Sequence, residues 1–527
     1  MGIYLNPGND NFKGTLRSDI YVDKTMMIDV INRFIDKENK YICISRPRRF
    51  GKTIAGNMLA AYYSKGCASA DLFKGLKIAK TKNFREKLNH YNVIQIDMND
   101  EYQNADNKMA IIANLKKEIK SEIMEAYPGV LFAKNDTLAK CLQRVFLATG
   151  DTFIIIMDEY DVLVREQADP KLFEEYLSFL NGLFKSNAVK PAIALAYLTG
   201  ILPVVRDKIQ SKLNNFREYT ILDAGELAEY IGFTAEEVKK LCKTHKMDYA
   251  ECRRWYDGYT QQGIEIYNPE SVVMSMEKKK YGSYWGKTSS YEVITDRIKH
   301  NRNGIKDTVI RLIAGEDADV NVTQYLNTMN SFKTQDDILT YLIHLGYLTY
   351  CEEDETCRIP NNEVLLEWKN SIAAEEEYAA TDRIIKESKE LLYETWKGNE
   401  KAVEKALDES HIHVTSNRSY NNEDALQSAI YLAYIYAGNQ YNIFREMTTG
   451  KGYADVVYVP VSPDIPAMVI ELKHNRSADS AIKQIKDKKY YTSLEHYSGN
   501  LLFVGISYDE KKKTHTCRIE RFVKDVR

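Results

Sequence analysis

Paired cysteines are missing from this chain. Its 8 cysteines are scattered singly through 527 residues, which argues against a disulfide frame and fits reduced thiols in a cytosol. An excess of one charge is missing too: 72 basic against 75 acidic residues leave a formal net charge of -3. That balance excludes a histone-like or tail-mediated binder, so a nucleic-acid partner would have to be gripped by local basic patches. No stretch approaches the ~20 apolar residues needed to span a bilayer. The first residues also lack a basic segment followed by an apolar run and a small-residue cleavage site. The expectation is a soluble cytoplasmic protein with no membrane partner. At roughly 100–200 residues per domain, a chain this long is expected to hold three or more domains.

Against that ordinary background two local patterns carry chemistry. Tyr41-Ile42-Cys43-Ile44-Ser45 is a short apolar run, Arg46-Pro47-Arg48-Arg49-Phe50-Gly51-Lys52-Thr53 follows it, and helical spacing resumes through Met58, Leu59, Ala61 and Tyr62. In a strand, loop and helix of this kind, backbone N–H groups and the helix N-terminus face phosphates. The lysine reaches the β and γ oxygens and the hydroxyl holds magnesium. Lys52 and Thr53 stand where those tasks fall. The usual P-loop, or Walker A, pattern opens with a glycine where this chain has Arg46. Arg46, Arg48 and Arg49 can add charge around a triphosphate. A bland turn entering a helix is the competing reading of Gly-Lys-Thr alone.

A partner strengthens the loop. Phe153-Ile154-Ile155-Ile156-Met157 is a continuous apolar run of the buried parallel-strand kind and delivers Asp158-Glu159 at its end, where ligands sit in open α/β sheets. This is the Walker B position. Asp158 is expected to bind magnesium, and Glu159 to orient and deprotonate the attacking water. A third apolar run from Pro191 to Leu198 ends at Thr199-Gly200. Thr199 is a candidate sensor of the γ-phosphate, with a strand-ending turn as the equal alternative. Arg206 and Arg217 are weaker candidates for reaching a phosphate.

Beyond Ala224 the pattern turns helical. Thr234 and Glu237 read as a capping box, and Trp255, Tyr256 and Tyr259 as packing aromatics. Residues Ile338 to Pro360 read as helix, strand, acidic turn Glu352-Glu353-Asp354-Glu355, and strand, the order of a winged-helix unit. The acidic turn would repel phosphates, so protein packing is favoured over nucleic-acid binding there. Cys242, His245 and Cys252 offer three zinc ligands without a fourth and fit an amphipathic helix better. His411-Ile412-His413 reads as a strand with both imidazoles on one face.

The second pattern lies near the far end. Ile384 to Ala406 reads as a connecting helix. A further helix begins at Glu423, capped by Asn422, with Leu426, Ile430 and Ala433 on one face. The strand Tyr453 to Val459 carries Asp455, and Met468-Val469-Ile470 carries Glu471-Leu472-Lys473. Cleaving a phosphodiester requires carboxylates that hold a divalent metal against the phosphate and a cation that stabilises developing charge. Alternation puts Glu471 and Lys473 on one face, where Asp455 can close the metal site. Glu423 is a possible fourth member, and Gln484 is expected to order the lysine or contact the backbone. Lys483, Lys486, Lys488 and Lys489 would attract phosphate, although a lysine run is most often a solvated helix face. The competing reading of the whole set is an amphipathic hairpin with its charges in water.

Taken together, Tyr21-Val22-Asp23-Lys24-Thr25, the Arg46 to Thr53 loop, Met157-Asp158-Glu159-Tyr160-Asp161 and Leu198-Thr199-Gly200 resemble the bacterial AAA-ATPase-like family often fused to a C-terminal nuclease-like domain. The Asp455, Glu471 and Lys473 set resembles the PD-(D/E)XK superfamily, with Ala454 where the proline of that name stands. The resemblance implies an α/β chain. Its parts would be a P-loop ATPase core with a parallel sheet over 1–225, a helical lid and winged-helix-like region over 226–370, a connecting helix over 371–405 and a restriction-endonuclease-like domain over 406–527. It implies ATP with Mg2+, and Mg2+ or Mn2+ at the nuclease site. The nucleotide-binding set is Arg48, Arg49, Phe50, Gly51, Lys52, Thr53, Asp158 and Thr199. The catalytic set is Glu159, Asp455, Glu471 and Lys473, and the metal ligands are Thr53, Asp158, Asp455 and Glu471. The expected function is an ATPase whose nucleotide state controls a nuclease acting on nucleic acid, DNA in preference to RNA, with a homo-oligomer as a further possibility. The alternative is a nucleotide switch whose inactive nuclease-like domain binds nucleic acid or a protein.

Overall fold

The structure is a computed structural model. It describes residues 2–203, 213–285, 305–313, 315–324, 334–373, 379–414, 426, 430, 433–434, 436–437, 440–449, 452–460, 464–490, 494 and 499–522. Arg206, Asn422 and Glu423, all singled out in the sequence, lie outside them. The chain divides into two compact units, Met1–Thr288 with Asp319–Glu363, and Ser289–Ala318 with Val364–Arg527. Among the described residues no helix is long and apolar enough to cross a membrane.

The first unit is built on a five-stranded sheet of β1 (Tyr41–Ser45), β2 (Asn92–Asp97), β3 (Phe153–Asp158), β4 (Ile193–Gly200) and β5 (Arg217–Tyr219), in the order β2-β3-β4-β1-β5. Every neighbouring pair is parallel. Parallel strands are covered on both faces, so they read as unbroken apolar runs. All residues of β1, β3 and β4 are accordingly buried. Helix α1 (Lys52–Tyr63) leaves β1 through the short loop Arg46–Gly51 and packs along β3.

A helical region follows in the same unit. The capping box at Thr234 forms as read, with Glu237 answering. Cys242 and Cys252 pack into an apolar cluster with Tyr256, Tyr267 and Met276, consistent with an amphipathic helix. Among the described residues no group of three or more His, Cys, Asp or Glu side chains gathers as a metal site. The helix Gln335–Leu345, strand Thr349–Cys351, acidic turn and strand Thr356–Arg358 occur in the winged-helix order.

The second unit holds a mixed sheet of β6 (Tyr441–Thr449), β7 (Gly452–Pro460), β8 (Ala467–His474), β9 (Leu501–Asp509) and β10 (Thr514–Phe522), in sequential order. Only β8 and β9 run parallel, because α4 (Ala478–Asp487) supplies the crossover between them. One face packs Leu391, Leu407, Leu426, Ile430 and Ala433 against Val456, Ile470 and Val504. The other packs Ile482 and Ile485 of α4 against Val457, Val469 and Phe503.

Two readings change here. The stretch read as one connecting helix is a helical pair, α2 (Ala379–Lys397) and α3 (Glu400–Val414). The break falls at Gly398, whose φ of 77° an L side chain adopts only with strain. His411 and His413 belong to α3 and not to a strand: the Glu-, Lys- and Ala-rich run before them favours helix, and the helix continues through both histidines.

Candidate functional sites

In a parallel sheet the C-terminal strand ends gather at one edge, and there the first site forms. The loop after β1 turns through Arg49 (φ 67°) and Gly51 (φ 91°) into α1, so the first helical residue is Lys52. Lys52 is buried, and its Nζ donates to the carbonyl oxygens of Arg46 and Pro47, each at 3.0 Å. Burial lowers its pKa, while Glu159 and Asp158 act in the opposite sense. Thr53 is exposed beside it on the first turn.

Arg46, at the position of the missing glycine, adds no charge to a phosphate site. It is fully buried and its Nη1 donates to Ser45 O at 2.9 Å and Tyr219 O at 2.8 Å, bracing β1 against β5. Burial brings its pKa down to about 10. Arg49 donates to Tyr284 O at 3.0 Å and lies 3.8 Å from Glu270, so it ties the loop to the helical region. Phe50 is buried, edge-on to Tyr259 at 5.3 Å. Pro47 faces Gly346, where an added Cβ would lie 2.8 Å from the proline ring. Arg46 and Pro47 buttress the loop from behind, while Arg48, Arg49, Phe50, Gly51, Lys52 and Thr53 line a cavity of about 790 Å³ together with Lys24 and Glu270.

Asp158 and Thr199 end adjacent strands, with Met157 in register with Leu198. The Thr199 hydroxyl donates to Asp158 Oδ1, which also accepts the Glu159 amide at 3.0 Å. Asp158 Oδ2 is buried with no hydrogen-bond partner among the described residues. Glu159 has a φ of 51° and pairs with Arg165. Burial raises its carboxyl pKa, opposed by Lys52 and Arg165. Asp161 accepts the amides of Ile201 at 3.0 Å and Leu202 at 2.8 Å and lies 3.2 Å from Arg165. It is thus occupied in fastening the turn to β4. Arg217 is half exposed on β5, 3.9 Å from Glu226.

Three residues of this site were given no role in the sequence, Lys24 standing there only within the motif Tyr21–Thr25. Asp97 ends β2 in register with Asp158. Burial raises its pKa, with Asp158 adding to the shift. An apolar strand closing on a carboxylate, as at Asp158, was the available signal. Lys24 reaches Glu229 O at 2.6 Å and Glu237 at 2.5 Å. It and Arg165 have no signal in spacing, since their partners are set by the fold.

The second site sits where β7 and β8 separate. Lys473 Nζ lies 2.8 Å from Glu471 Oε1, as the same-face reading requires. Asp455 Oδ2 accepts the Leu472 amide at 2.7 Å from the next strand. Gln484 bonds Glu471 and also Tyr490 Oη, the latter at 3.1 Å, in place of the lysine or backbone contact expected of it. Burial first, then Asp455, pushes the Glu471 carboxyl up to about 7, against the Lys473 contact. Glu471 Oε2 is buried with no hydrogen-bond partner among the described residues. Tyr490 was missed because it follows the helix and meets the site only through Gln484. Lys483, Lys486, Lys488 and Lys489 are exposed, Lys486 paired with Glu520 at 2.5 Å.

A divalent cation suits both sites on this donor chemistry. Each offers a buried, unshared carboxylate oxygen, and among the described residues neither has a cage of three protein ligands. Magnesium is commonly held this way, by one or two carboxylates with water and substrate phosphate completing the shell.

Comparison with known proteins agrees with this division. Residues 8–210 match the family described as a predicted AAA-ATPase, and residues 421–517 match the PD-(D/E)XK nuclease superfamily. Over 293 residues the chain is 22% identical to an uncharacterized protein in the vnfD 5' region of Azotobacter chroococcum mcd 1, covering 54% of this chain and 53% of the other. It thus spans about half the length of that curated relative. The ORC2 protein of Aeropyrum pernix, solved as ADPNP-ADP complexes, aligns over 68% of this chain and 97% of its own at 12% identity, with a TM-score of 0.30. The ORC1 protein of the same organism, solved in complex with DNA, aligns over 72% and 98% at 11% identity, with a TM-score of 0.26. Overlaps this loose add nothing to the fold, which rests on strand order and register. The chain therefore carries a predicted AAA-ATPase domain over residues 8–210 and a PD-(D/E)XK nuclease superfamily domain over residues 421–517.

Proposed function

We propose that the protein binds and hydrolyses ATP in its first unit and that this nucleotide cycle controls a metal-dependent nuclease in its second. One observation carries the reading: Asp158 Oδ2 and Glu471 Oε2 are both buried acceptors without a hydrogen-bond partner among the described residues, and each has a lysine as a favourable charge nearby. An oxygen taken out of water and left unshared costs about 1–3 kcal/mol or more. A cation beside a phosphate would remove that cost.

In the first unit Lys52 exchanges the loop carbonyls for phosphate oxygens, and the loop amides and α1 N-terminus face the same charge. Thr199 holds Asp158 in place, and Asp158 with Thr53 would hold magnesium. Glu159 takes the proton of the attacking water, a task its raised pKa suits. In the second unit Asp455 and Glu471 would hold the metal, which supplies positive charge at the scissile phosphate. Lys473 stabilises the charge that develops there, and Gln484 fixes Glu471. DNA is the favoured substrate.

The test incubates the purified chain with magnesium or manganese and labelled DNA and RNA, with and without ATP, while phosphate release is followed. Metal-dependent cleavage that ATP alters supports the reading. ATP turnover with no cleavage of either polymer would leave the second unit as a binding module.

A further inference from the structure

Strand β9 runs parallel to β8, with Ser507 in register with Lys473 and Tyr508 with His474. The turn that leads β9 into β10 therefore stands at the sheet end where Glu471 and Lys473 lie. It reads Asp509-Glu510-Lys511-Lys512-Lys513-Thr514, and all three lysines are exposed. Hydrogen bonds fix its shape. Asp509 Oδ1 accepts the amides of Lys511 and Lys512, each at 3.0 Å, and Lys513, at a φ of 55°, donates its amide to Asp509 O at 2.8 Å. A second set fastens the turn to the chain just past Lys473. The Asn475 amide donates to Tyr508 O at 2.8 Å, the Glu510 amide donates to Asn475 Oδ1 at 3.0 Å, and Asn475 Nδ2 donates to Glu510 Oε2 at 3.4 Å. Both acids of the turn are thus engaged in shaping it, while Lys512, 3.7 Å from Asp509, keeps its side chain 78% exposed. Arg476 adds a further exposed cation beside Asn475, its carbonyl oxygen held by the Ser507 hydroxyl at 2.5 Å.

Resting on the reading of the second unit as a nuclease, we infer that the Lys511-Lys512-Lys513 turn is a clamp for the nucleic-acid backbone that flanks the scissile phosphate. A polymer substrate runs past the phosphate at which it is cut, and a chain of net charge -3 exerts no general pull on a polyanion, so the hold must be local. This patch is local and pinned: its backbone is tied two residues from Lys473, so its charges stand at a set place relative to the cut. At ~3.3 Å per strand residue the turn lies about 10–15 Å beyond Lys473, or roughly three to four nucleotides along a duplex at ~3.4 Å each. Lysine is a point charge on a flexible stem. It suits phosphates and reads no base, so the clamp is indifferent to sequence.

The test follows binding of a short fluorescent DNA duplex to the metal-free full chain by anisotropy across a salt series. The triple variant Lys511→Gln, Lys512→Gln, Lys513→Gln is set against Lys389→Gln, Lys401→Gln, Lys405→Gln, which removes the same charge from exposed positions on α2 and α3. The turn variant should lose about 2–3 from the slope of log affinity against log salt, at ~0.9 per phosphate contact, and bind at least ~tenfold more weakly near ~0.1 M salt. The control should stay within about twofold of wild type in affinity. Duplexes of unrelated sequence should show the same loss. A turn variant that binds no more weakly than the control overturns the inference, and so does a wild-type chain that does not bind the duplex. Leaving metal out of the binding assay keeps the two ideas apart. Turn-dependent binding without cleavage in magnesium or manganese upholds the clamp and sinks the nuclease, whereas cleavage by wild type with a turn variant that binds equally well does the reverse.

Discussion

Lys473 Nζ lies 2.8 Å from Glu471 Oε1, yet the Glu471 carboxyl is raised to about 7 because burial and the neighbouring Asp455 outweigh that contact. A proton is therefore retained in the folded chain at pH values where the unfolded chain, with an ordinary value of 4.5, has lost it. The contribution favours folding fully below about 4.5 and is lost as pH rises through about 7. Metal-free protein should melt at lower temperature as pH is raised across that window, and magnesium should bind more tightly, since the ligand must be deprotonated. Thermal melts of the metal-free protein and calorimetric titration of metal, each at several pH values, read the two effects. In Glu471→Gln the pH dependence should disappear, and a slope that persists would assign it to another group.

The same pair separates ligation from charge stabilisation. Asp455→Ala or Glu471→Ala should abolish metal-dependent cleavage while ATP hydrolysis continues. Lys473→Ala should retain more metal binding than either, because the lysine repels the cation. Cleavage that survives loss of both carboxylates would point to a contaminating nuclease.

At the nucleotide site, Lys52→Ala should weaken ATP binding and abolish turnover. Glu159→Gln should still bind ATP with magnesium and turn over at least ~100-fold more slowly. Asp161 is a poor substitute base: it is 1% exposed, and its Oδ2 already accepts two backbone amides and lies beside Arg165. Asp161→Asn should therefore lower the melting temperature as well as the rate, a combination that separates it from Glu159→Gln.

Thr199→Val tests the bond to Asp158. The shape is kept and the donor is lost, so the folded state should lose about 1–3 kcal/mol, the range for leaving a buried acceptor without its partner. Turnover should fall by roughly tenfold with little change in nucleotide affinity. Denaturant unfolding and steady-state kinetics on one preparation decide it, and a variant equal to wild type in both would leave Thr199 as a strand end and nothing more.

Gly346→Ala probes the buttress behind the phosphate loop. At a φ of 86° an alanine is strained, and its Cβ would lie 2.8 Å from Pro47. A loss of about 1–3 kcal/mol is expected, along with weaker ATP binding, because the loop must shift. Unchanged affinity would mean that the loop moves independently of this contact.

The local chain determined a good deal by itself. Short apolar runs at Tyr41–Ile44 and Phe153–Met157, each followed by a loop or carboxylate, read as strands covered on both faces, which brings the residues after them, Lys52 by way of the loop and Asp158, to one sheet edge. Alternation alone put Glu471 and Lys473 together. What the tertiary structure decided is everything whose partner is remote: Arg46 turned inward to Tyr219, Arg49 drawn to Tyr284, Arg165 forked over Glu159 and Asp161, and Gln484 bonded to Tyr490. A charged side chain has no period of its own. Where it points is set by which carbonyls and carboxylates the fold leaves within its reach, and that is fixed only once the strands have packed.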